Sequence, residues 1–314
     1  MRNSPVASAV FMVHPTTFGY DDQTAQTNAF QNRPAETSAT VAERAATEFE
    51  AATQQLRDHG IEVVVFRDQP EPSKPNAVFP NNWLSTWPDG RVFLYPMATQ
   101  SRRVERSPQA LQQLAQSFEL GQIIDLSRAE DEGKYLESTG AIIFDHAHKL
   151  AYAALSPRCD AQLFTDHVQS LGYEPIAFRA ADQSGVAVYH TNVLMGVQST
   201  TAVVCAEAIS DPAERARVID SLERTGHQVA IISQTQMNRF CGNVIELQND
   251  RGRRYLLLSQ TAHEAFTPDQ RLLLGQDKTL LPVAIPTIEA VGGGSARCMV
   301  AEVFLPRRVA SAVG

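Results

Sequence analysis

Five times along this 314-residue chain an amphipathic segment stops at a glycine and a short apolar run follows. The segments 42–59, 102–120, 158–171, 212–225 and 261–274 carry apolar residues at mixed three and four spacing, the mark of helices with one buried face. They stop at Gly60, Gly121, Gly172, Gly226 and Gly275, residues suited to the left-handed turn that ends many helices. Strands are predicted just beyond, at 61–66, 122–126, 174–178, 228–232 and 281–285. Before each of the last four helices two β-rich runs flank turn residues, as 83–87 and 92–97 flank Pro88-Asp89-Gly90. The unit is strand, strand, helix, strand, and its period of roughly 50 to 60 residues marks a repeat architecture. One copy cannot cover its own apolar faces, so the copies pack on each other. A ring of five closes when the C-terminal run 298–305 joins the N-terminal run 10–13. The expected fold class is α/β, a five-fold pseudosymmetric propeller, with residues 1–314 as a single domain. The proline-rich stretch 69–75 reads as a surface loop and the polar stretch 4–33 as a mobile segment or lid.

Composition narrows the partners. A formal charge of −8, with no Lys/Arg-rich run and no interleaved aromatic and basic residues, argues against nucleic acid and anionic membranes and leaves a small polar molecule. No run approaches the ~20 apolar residues of a bilayer span, and Met1-Arg2-Asn3-Ser4-Pro5 opens no export signal, so a cytoplasmic protein is expected. A homo-oligomer is left open. The four cysteines (Cys159, Cys205, Cys241, Cys298) are scattered without a C-x-x-C pair, which suggests neither disulfides nor a zinc site.

Within the period, polar residues fall in register. The hairpins begin at Asn82, Glu137, His190, Asn243 and Cys298, at spacings of 55, 53, 53 and 55 residues. Equivalent positions of a ring converge on its axis, so a thiol, an imidazole, a carboxylate and two carboxamides are expected to share one central cleft. Cys298 follows Gly292-Gly293-Gly294-Ser295-Ala296-Arg297, and glycines let backbone and substrate approach closely. Each residue has an ordinary reading too: an inert buried thiol, a hydrogen-bonded structural histidine, Glu137 as a cap, and Asn81 and Asn82 as turn formers after Pro80. Register favours the functional reading, in which Cys298 is the nucleophile, His190 the acid/base and Glu137 the group that orients it. Asn76, Asn81, Asn82 and Asn243 are grouped as substrate-binding candidates.

Other signals are weaker. His146-Ala147-His148 has an i, i+2 spacing that would present two imidazoles to a metal, but 145–149 reads better as the turn of a hairpin, and no metal is expected. The glycine run lacks both phosphate-binding patterns, and no G-x-S-x-G elbow supports a serine nucleophile.

At Phe79-Pro80-Asn81-Asn82, Leu136-Glu137-Ser138-Thr139-Gly140, His190-Thr191-Asn192, Phe240-Cys241-Gly242-Asn243 and Gly292 to Cys298 the chain resembles the guanidine-modifying enzymes, or penteins. That superfamily includes arginine deiminase, dimethylarginine dimethylaminohydrolase and the amidinotransferases. The similarity runs over nearly the whole chain and is greatest to the citrulline-utilisation hydrolases, amidinotransferase-like proteins. It implies a five-fold α/β propeller, a Cys298, His190 and Glu137 catalytic set, and no cofactor. It also implies substrate contacts from Asn192, from Arg158 at the place of an arginine that binds the substrate carboxylate, and from Arg297 as a second candidate for that task; Arg158 reads equally well as a surface charge at a helix start. The deiminases carry aspartate where this chain has Asn82 and Gly140, and often where it has Asn192. A carboxamide offers donors and acceptors to a neutral planar group, so the expected substrate is citrulline rather than cationic arginine. The expected reaction cleaves a C–N bond of the ureido group through an S-carbamoyl cysteine, giving ornithine, ammonia and carbon dioxide. The rivals are an arginine or guanidine deiminase or amidinotransferase working through an S-amidino intermediate, and a non-catalytic ligand-binding propeller.

Overall fold

The computed structural model describes residues 6–308 and contains five three-stranded sheets built alike. One uses β1 (Ala9–Val13), β2 (Glu62–Phe66) and β15 (Ala301–Val303). The others are β3 (Leu84–Thr86), β4 (Val92–Leu94) and β5 (Ile123–Asp125); β6 (Ile143–Asp145), β7 (Leu150–Ala154) and β8 (Glu174–Phe178); β9 (Met195–Val197), β10 (Thr201–Val204) and β11 (Gln228–Ile231); and β12 (Ile245–Gln248), β13 (Arg254–Ser259) and β14 (Thr279–Val283). In every sheet the first strand runs antiparallel to the central one and the third runs parallel to it after a helical crossover. The ring closes as expected, because β15 pairs antiparallel with β1 (Ala9 opposite Val303) and so joins the two ends of the chain. Inner strands of neighbouring sheets touch, β15 beside β3 and β6 beside β9.

Helix bounds depart from expectation where local chemistry stops the chain. Pro108 and Pro268 cannot sit inside a helix, so 102–120 becomes Gln100–Arg103 plus Pro108–Ala115, and 261–274 becomes Gln260–Ala265 plus Pro268–Leu274. The third helix starts at Ala161, since Asp160 caps it by accepting the Leu163 N–H at 2.8 Å, and this leaves Arg158 in the preceding turn. Of the five terminal glycines, Gly60, Gly172 and Gly226 adopt positive φ; Gly121 and Gly275 do not. At those two, a side chain would instead crowd backbone oxygens 3.1 Å from its Cβ.

Of the expected surface loop 69–75, residues 69–73 are exposed, whereas Lys74 is buried and pairs with Asp68 at 2.6 Å. The polar segment behaves differently from a mobile one over its described part: Phe18, Asp21, Thr24, Asn28 and Gln31 are buried, and 21–32 lies as a strap over one mouth of the ring. Residues 4 and 5 of that segment, and the N-terminal stretch 1–5 used to argue against export, lie outside the described residues. Among the described residues no helix is long and apolar enough to cross a membrane.

Candidate active site

Asn82, Glu137, His190, Asn243 and Cys298 occupy equivalent places, each in the turn that enters the first strand of a sheet rather than on the strand itself. Cys298 closes a turn in which its N–H donates to Ser295 O, three residues before β15. All five are at most 3% exposed, so side chains from five separate turns meet in a desolvated centre. The glycine run makes this possible. Pro286–Gly292 is a short helix whose first N–H groups, Thr287 and Ile288, are accepted by the Glu48 carboxylate, and Gly293 ends it at φ +64°. A Cβ on Gly292 would lie 2.8 Å from the Phe79 ring, and one on Gly293 2.7 Å from Asn28 Nδ2.

A narrow cavity here is lined by the thiol of Cys298, the imidazole of His190, Asn82, Arg102, Arg158 and Tyr189, with Phe79, Asn76 and the three glycines around them and Thr24, Asn28 and Gln31 of the strap above. The strap is pinned to the glycine turn: Gln31 Nε2 donates to Gly292 O at 3.0 Å and Asn28 Nδ2 to Gly293 O at 3.2 Å. Tyr189 donates to the same Gly293 oxygen at 2.6 Å.

His190 and Glu137 form the tightest ionisable contact of the cavity, Nε2 to Oε2 at 2.7 Å. Glu137 also accepts the Ala98 N–H at 3.0 Å and faces Arg158 at 3.4 Å. Burial works against its ionisation, but Arg158, the His190 hydrogen bond and Arg102 outweigh it and hold the carboxyl well below the usual carboxylate range. Burial pushes His190 down to about 4, against the opposing pull of Glu137. At neutral pH the pair is therefore a carboxylate and a neutral imidazole. The carboxylate takes the proton on Nε2, which leaves Nδ1 as a free base beside Gly140. The Cys298 sulfur accepts from Asn243 Nδ2 at 3.2 Å and Asn192 Nδ2 at 3.4 Å. Burial raises the other three thiols, Cys159 and Cys241 to about 12 and Cys205 to about 11, so they stay protonated and inert at neutral pH.

Several expected substrate contacts are placed differently. Asn192 and Asn243 hold the thiol and lie outside the cavity lining; Asn243 Oδ1 also accepts the Arg297 N–H at 3.0 Å. Arg297 turns its guanidinium away, because Val300 O, just before β15, and Glu302 within it offer acceptors there. Asn81 is buried with both amide atoms unpartnered among the described residues, and it does not line the cavity. Asn76 does, but its amide is taken by Asp21, Thr24 and Gln31. Arg158 lines it while bonded to Thr24 O and Thr27 Oγ1 of the strap. The residue that sequence reasoning missed is Arg102. Its guanidinium is buried, pairs with Glu105 at 2.8 Å and donates to Asn82 Oδ1 at 2.6 Å. The only signal for it is the i, i+3 Arg102/Glu105 pair, which reads equally well as surface helix.

The described metal-ligand geometry lies elsewhere. His146 bonds Tyr173 and His148 bonds Asp145, so the i, i+2 histidines do not converge; the expected turn 145–149 forms at 146–149, with Asp145 ending β6.

The fold and this converging set define a cysteine-dependent enzyme of the α/β propeller class. The family model described as N,N dimethylarginine dimethylhydrolase, eukaryotic, matches residues 14–305, and the chain belongs to that family within the pentein, guanidine-modifying superfamily. No curated protein matches the chain. Among solved structures it is similar to the substrate-bound N-terminal domain of ArgZ, an arginine dihydrolase of the ornithine-ammonia cycle in cyanobacteria, with a TM-score of 0.72, 14% identity, and 95% of this chain and 99% of that one covered. AgrE bound to L-arginine gives 0.73 and 15%, covering 96% of this chain. A dimethylarginine dimethylaminohydrolase adduct with S-methyl-L-thiocitrulline gives 0.63 and 13%, covering 94% and 99%. The chain spans 40% of AgrE and 42% of full-length ArgZ.

Proposed function

We propose that the whole chain works as one catalytic domain that hydrolyses the ureido group of citrulline, with Cys298 as nucleophile, His190 as acid and base and Glu137 as its orienting anion. The observation that carries this reading is the charge of the cavity wall. Two guanidinium groups, Arg102 and Arg158, line it and among the described residues no carboxylate does, because Glu105, paired with Arg102, and Glu137, spent on His190, Ala98 and Arg158, lie outside the lining. Arginine's guanidinium would meet like charge there, whereas a neutral ureido group and an amino-acid carboxylate would not. Asn82 adds to this: with its oxygen held by Arg102, it presents N–H donors, which suit a ureido oxygen and oppose a guanidinium that has only donors of its own.

In the reaction His190 Nδ1 takes the Cys298 proton and the thiolate attacks the ureido carbon, with Asn192 and Asn243 stabilising the sulfur's charge. The tetrahedral oxyanion is met by Asn82 Nδ2. His190 returns the proton to the δ-nitrogen as the C–N bond breaks, releasing ornithine and leaving S-carbamoyl cysteine. Water, deprotonated by His190, clears the carbamoyl group as carbamate, which decays to ammonia and carbon dioxide. Arg158, on the cavity wall, would receive the substrate carboxylate by giving up its bonds to Thr24 O and Thr27 Oγ1 of the strap.

The second reading is the same chemistry on arginine through an S-amidino intermediate, favoured by the dimethylarginine hydrolase family match and by the arginine-handling ArgZ and AgrE. Incubation with citrulline, arginine, agmatine and methylated arginines, following ornithine, citrulline and ammonia, separates the two. Ornithine and ammonia from citrulline alone support the first; an amidino adduct on Cys298 from arginine, with none from citrulline, overturns it.

A further inference from the structure

Asp145, His148 and His227 bring three metal-ligand atoms within 4.8 Å of one another, away from the residues that line the cysteine's cavity. Asp145 ends the inner strand β6, His148 sits in the turn to β7, and His227 lies immediately before β11 of the next sheet. The nucleophile and its partners sit where the inner strands begin, so this cluster is separated from them by the length of those strands.

Three details fit a divalent transition-metal ion. First come the separations. Asp145 Oδ2 is 2.9 Å from His148 Nδ1 and 3.8 Å from His227 Nε2. Ligand atoms about 2.0–2.1 Å from a tetrahedral zinc stand roughly 3.3 Å apart, which these values bracket. The second is the outer shell. His227 Nδ1 lies 2.9 Å from Thr225 Oγ1, whose own proton has the carbonyls of Leu222 and Ser221 at 2.9 and 3.0 Å. Without a metal, Nε2–H donates to Gln198 O at 2.9 Å; a cation at Nε2 would move that proton to Nδ1, where Thr225 Oγ1 can accept it, as metal-bound histidines require. The third is access and a fourth position. Asp145 and His227 are buried at 3% and 5% exposure, His148 faces solvent, and Gln198 O, which accepts from His227 Nε2 at 2.9 Å without a metal, is close enough to add a backbone oxygen once that proton has left. Two imidazoles and one carboxylate suit zinc, cobalt or nickel better than magnesium or calcium, which take oxygen ligands.

We propose that Asp145, His148 and His227 bind one zinc-like divalent cation that ties the β6–β7 turn to the adjacent sheet. The role is a clamp between two blades, independent of which substrate the cysteine attacks.

The test uses full-length Cys298→Ser protein, so that the active-site thiol does not bind the probe, treated with a chelator and titrated with zinc by calorimetry and with cobalt by visible absorption. One equivalent of cation is expected, with a rise in Tm. His148→Ala, a surface change that spares the core, should weaken binding by more than about 100-fold, beyond the 10–100-fold typical of losing an outer-shell partner. Asp145→Asn should do the same. Absence of stoichiometric binding overturns the proposal, and so does binding that survives in both variants. Because the readout is metal affinity, failure here leaves the citrulline assignment untouched, and failure of that assignment leaves the clamp standing.

Discussion

Arg102 donates to the side-chain oxygen of Asn82 at 2.6 Å and thereby decides which end of that amide the cavity sees. The Nδ2 of Asn82, buried and without a partner among the described residues, lies 2.3 Å from the point where a Cβ on Gly140 would be built. His190 Nδ1 lies 2.8 Å from the same point. A donor and a base thus share a space that exists only because residue 140 has no side chain.

Gly140→Ala should accordingly remove activity out of proportion to stability. Asn82 is held by Arg102 and His190 by Glu137, so neither can step aside without breaking a buried hydrogen bond. A loss of at least about 100-fold in kcat/KM is expected beside an overpacking cost of about 1–3 kcal/mol in urea unfolding. Wild-type turnover in this variant would show that the space is unused.

The ring was legible because its causes are local. Glycine stops, hairpin turns and helical periodicity each repeat, and the register of Asn82, Glu137, His190, Asn243 and Cys298 follows from counting residues. What pairs with what inside the ring was not legible. Asn192, Asn243 and Arg297 were expected to reach substrate, yet two hold the thiol and the third turns to Glu302, choices made by acceptors that only the closed fold supplies. Arg102 was hidden because a buried Arg/Glu pair and a solvated one look the same in sequence. The lid expected in 4–33 is a packed strap over its described part, since Asn28 and Gln31 find the two carbonyls that the glycine turn exposes.

The Arg102/Glu105 pair predicts a specific non-additivity. Both are buried, and burial raises the Glu105 carboxyl above its ordinary value even with the arginine beside it. Arg102→Met leaves that group without its cation and should cost about 3–5 kcal/mol. Adding Glu105→Gln removes the stranded charge, so the double variant should be more stable than Arg102→Met alone, as read by urea unfolding at pH 7. A double variant no more stable than the single would mean that Glu105 carries no buried charge.

Acid should destabilise the protein earlier than carboxylate protonation alone would. The folded His190 is held at about 4 by burial while the unfolded side chain titrates near 6.5, so below that value the unfolded state binds the extra proton. Its contribution is fully present above about 6.5 and is lost as pH falls toward 4, amounting to about 3 kcal/mol. Glu137, depressed in the fold, acts in the same direction at lower pH. His167, also pushed to about 4 by burial, adds to the slope. Unfolding free energy measured between pH 5 and 6.5 should therefore fall less steeply in His190→Asn than in wild type, by up to about 1.4 kcal/mol per pH unit. Equal slopes would place the imidazole charge elsewhere.

Asn243 offers the sharpest test of how the sulfur is prepared. Its Nδ2 donates to Cys298 Sγ and to Asn192 O, while its Oδ1 accepts the Arg297 N–H that leads into Cys298. Asn243→Asp keeps the shape and the Arg297 contact but replaces the donor with an anionic oxygen facing sulfur. Asn243→Ala removes both functions and introduces no charge. A hydrogen bond to a charged group is worth about 1.5–3 kcal/mol, so the alanine variant should alkylate with iodoacetamide, at one fixed pH, about 10- to 150-fold more slowly than wild type. The aspartate variant should be slower still, although it perturbs packing less, because like charge now opposes the thiolate. If alanine proves slower than aspartate, shape rather than donation governs the thiol, and the Asn243 amide is scaffolding for the turn.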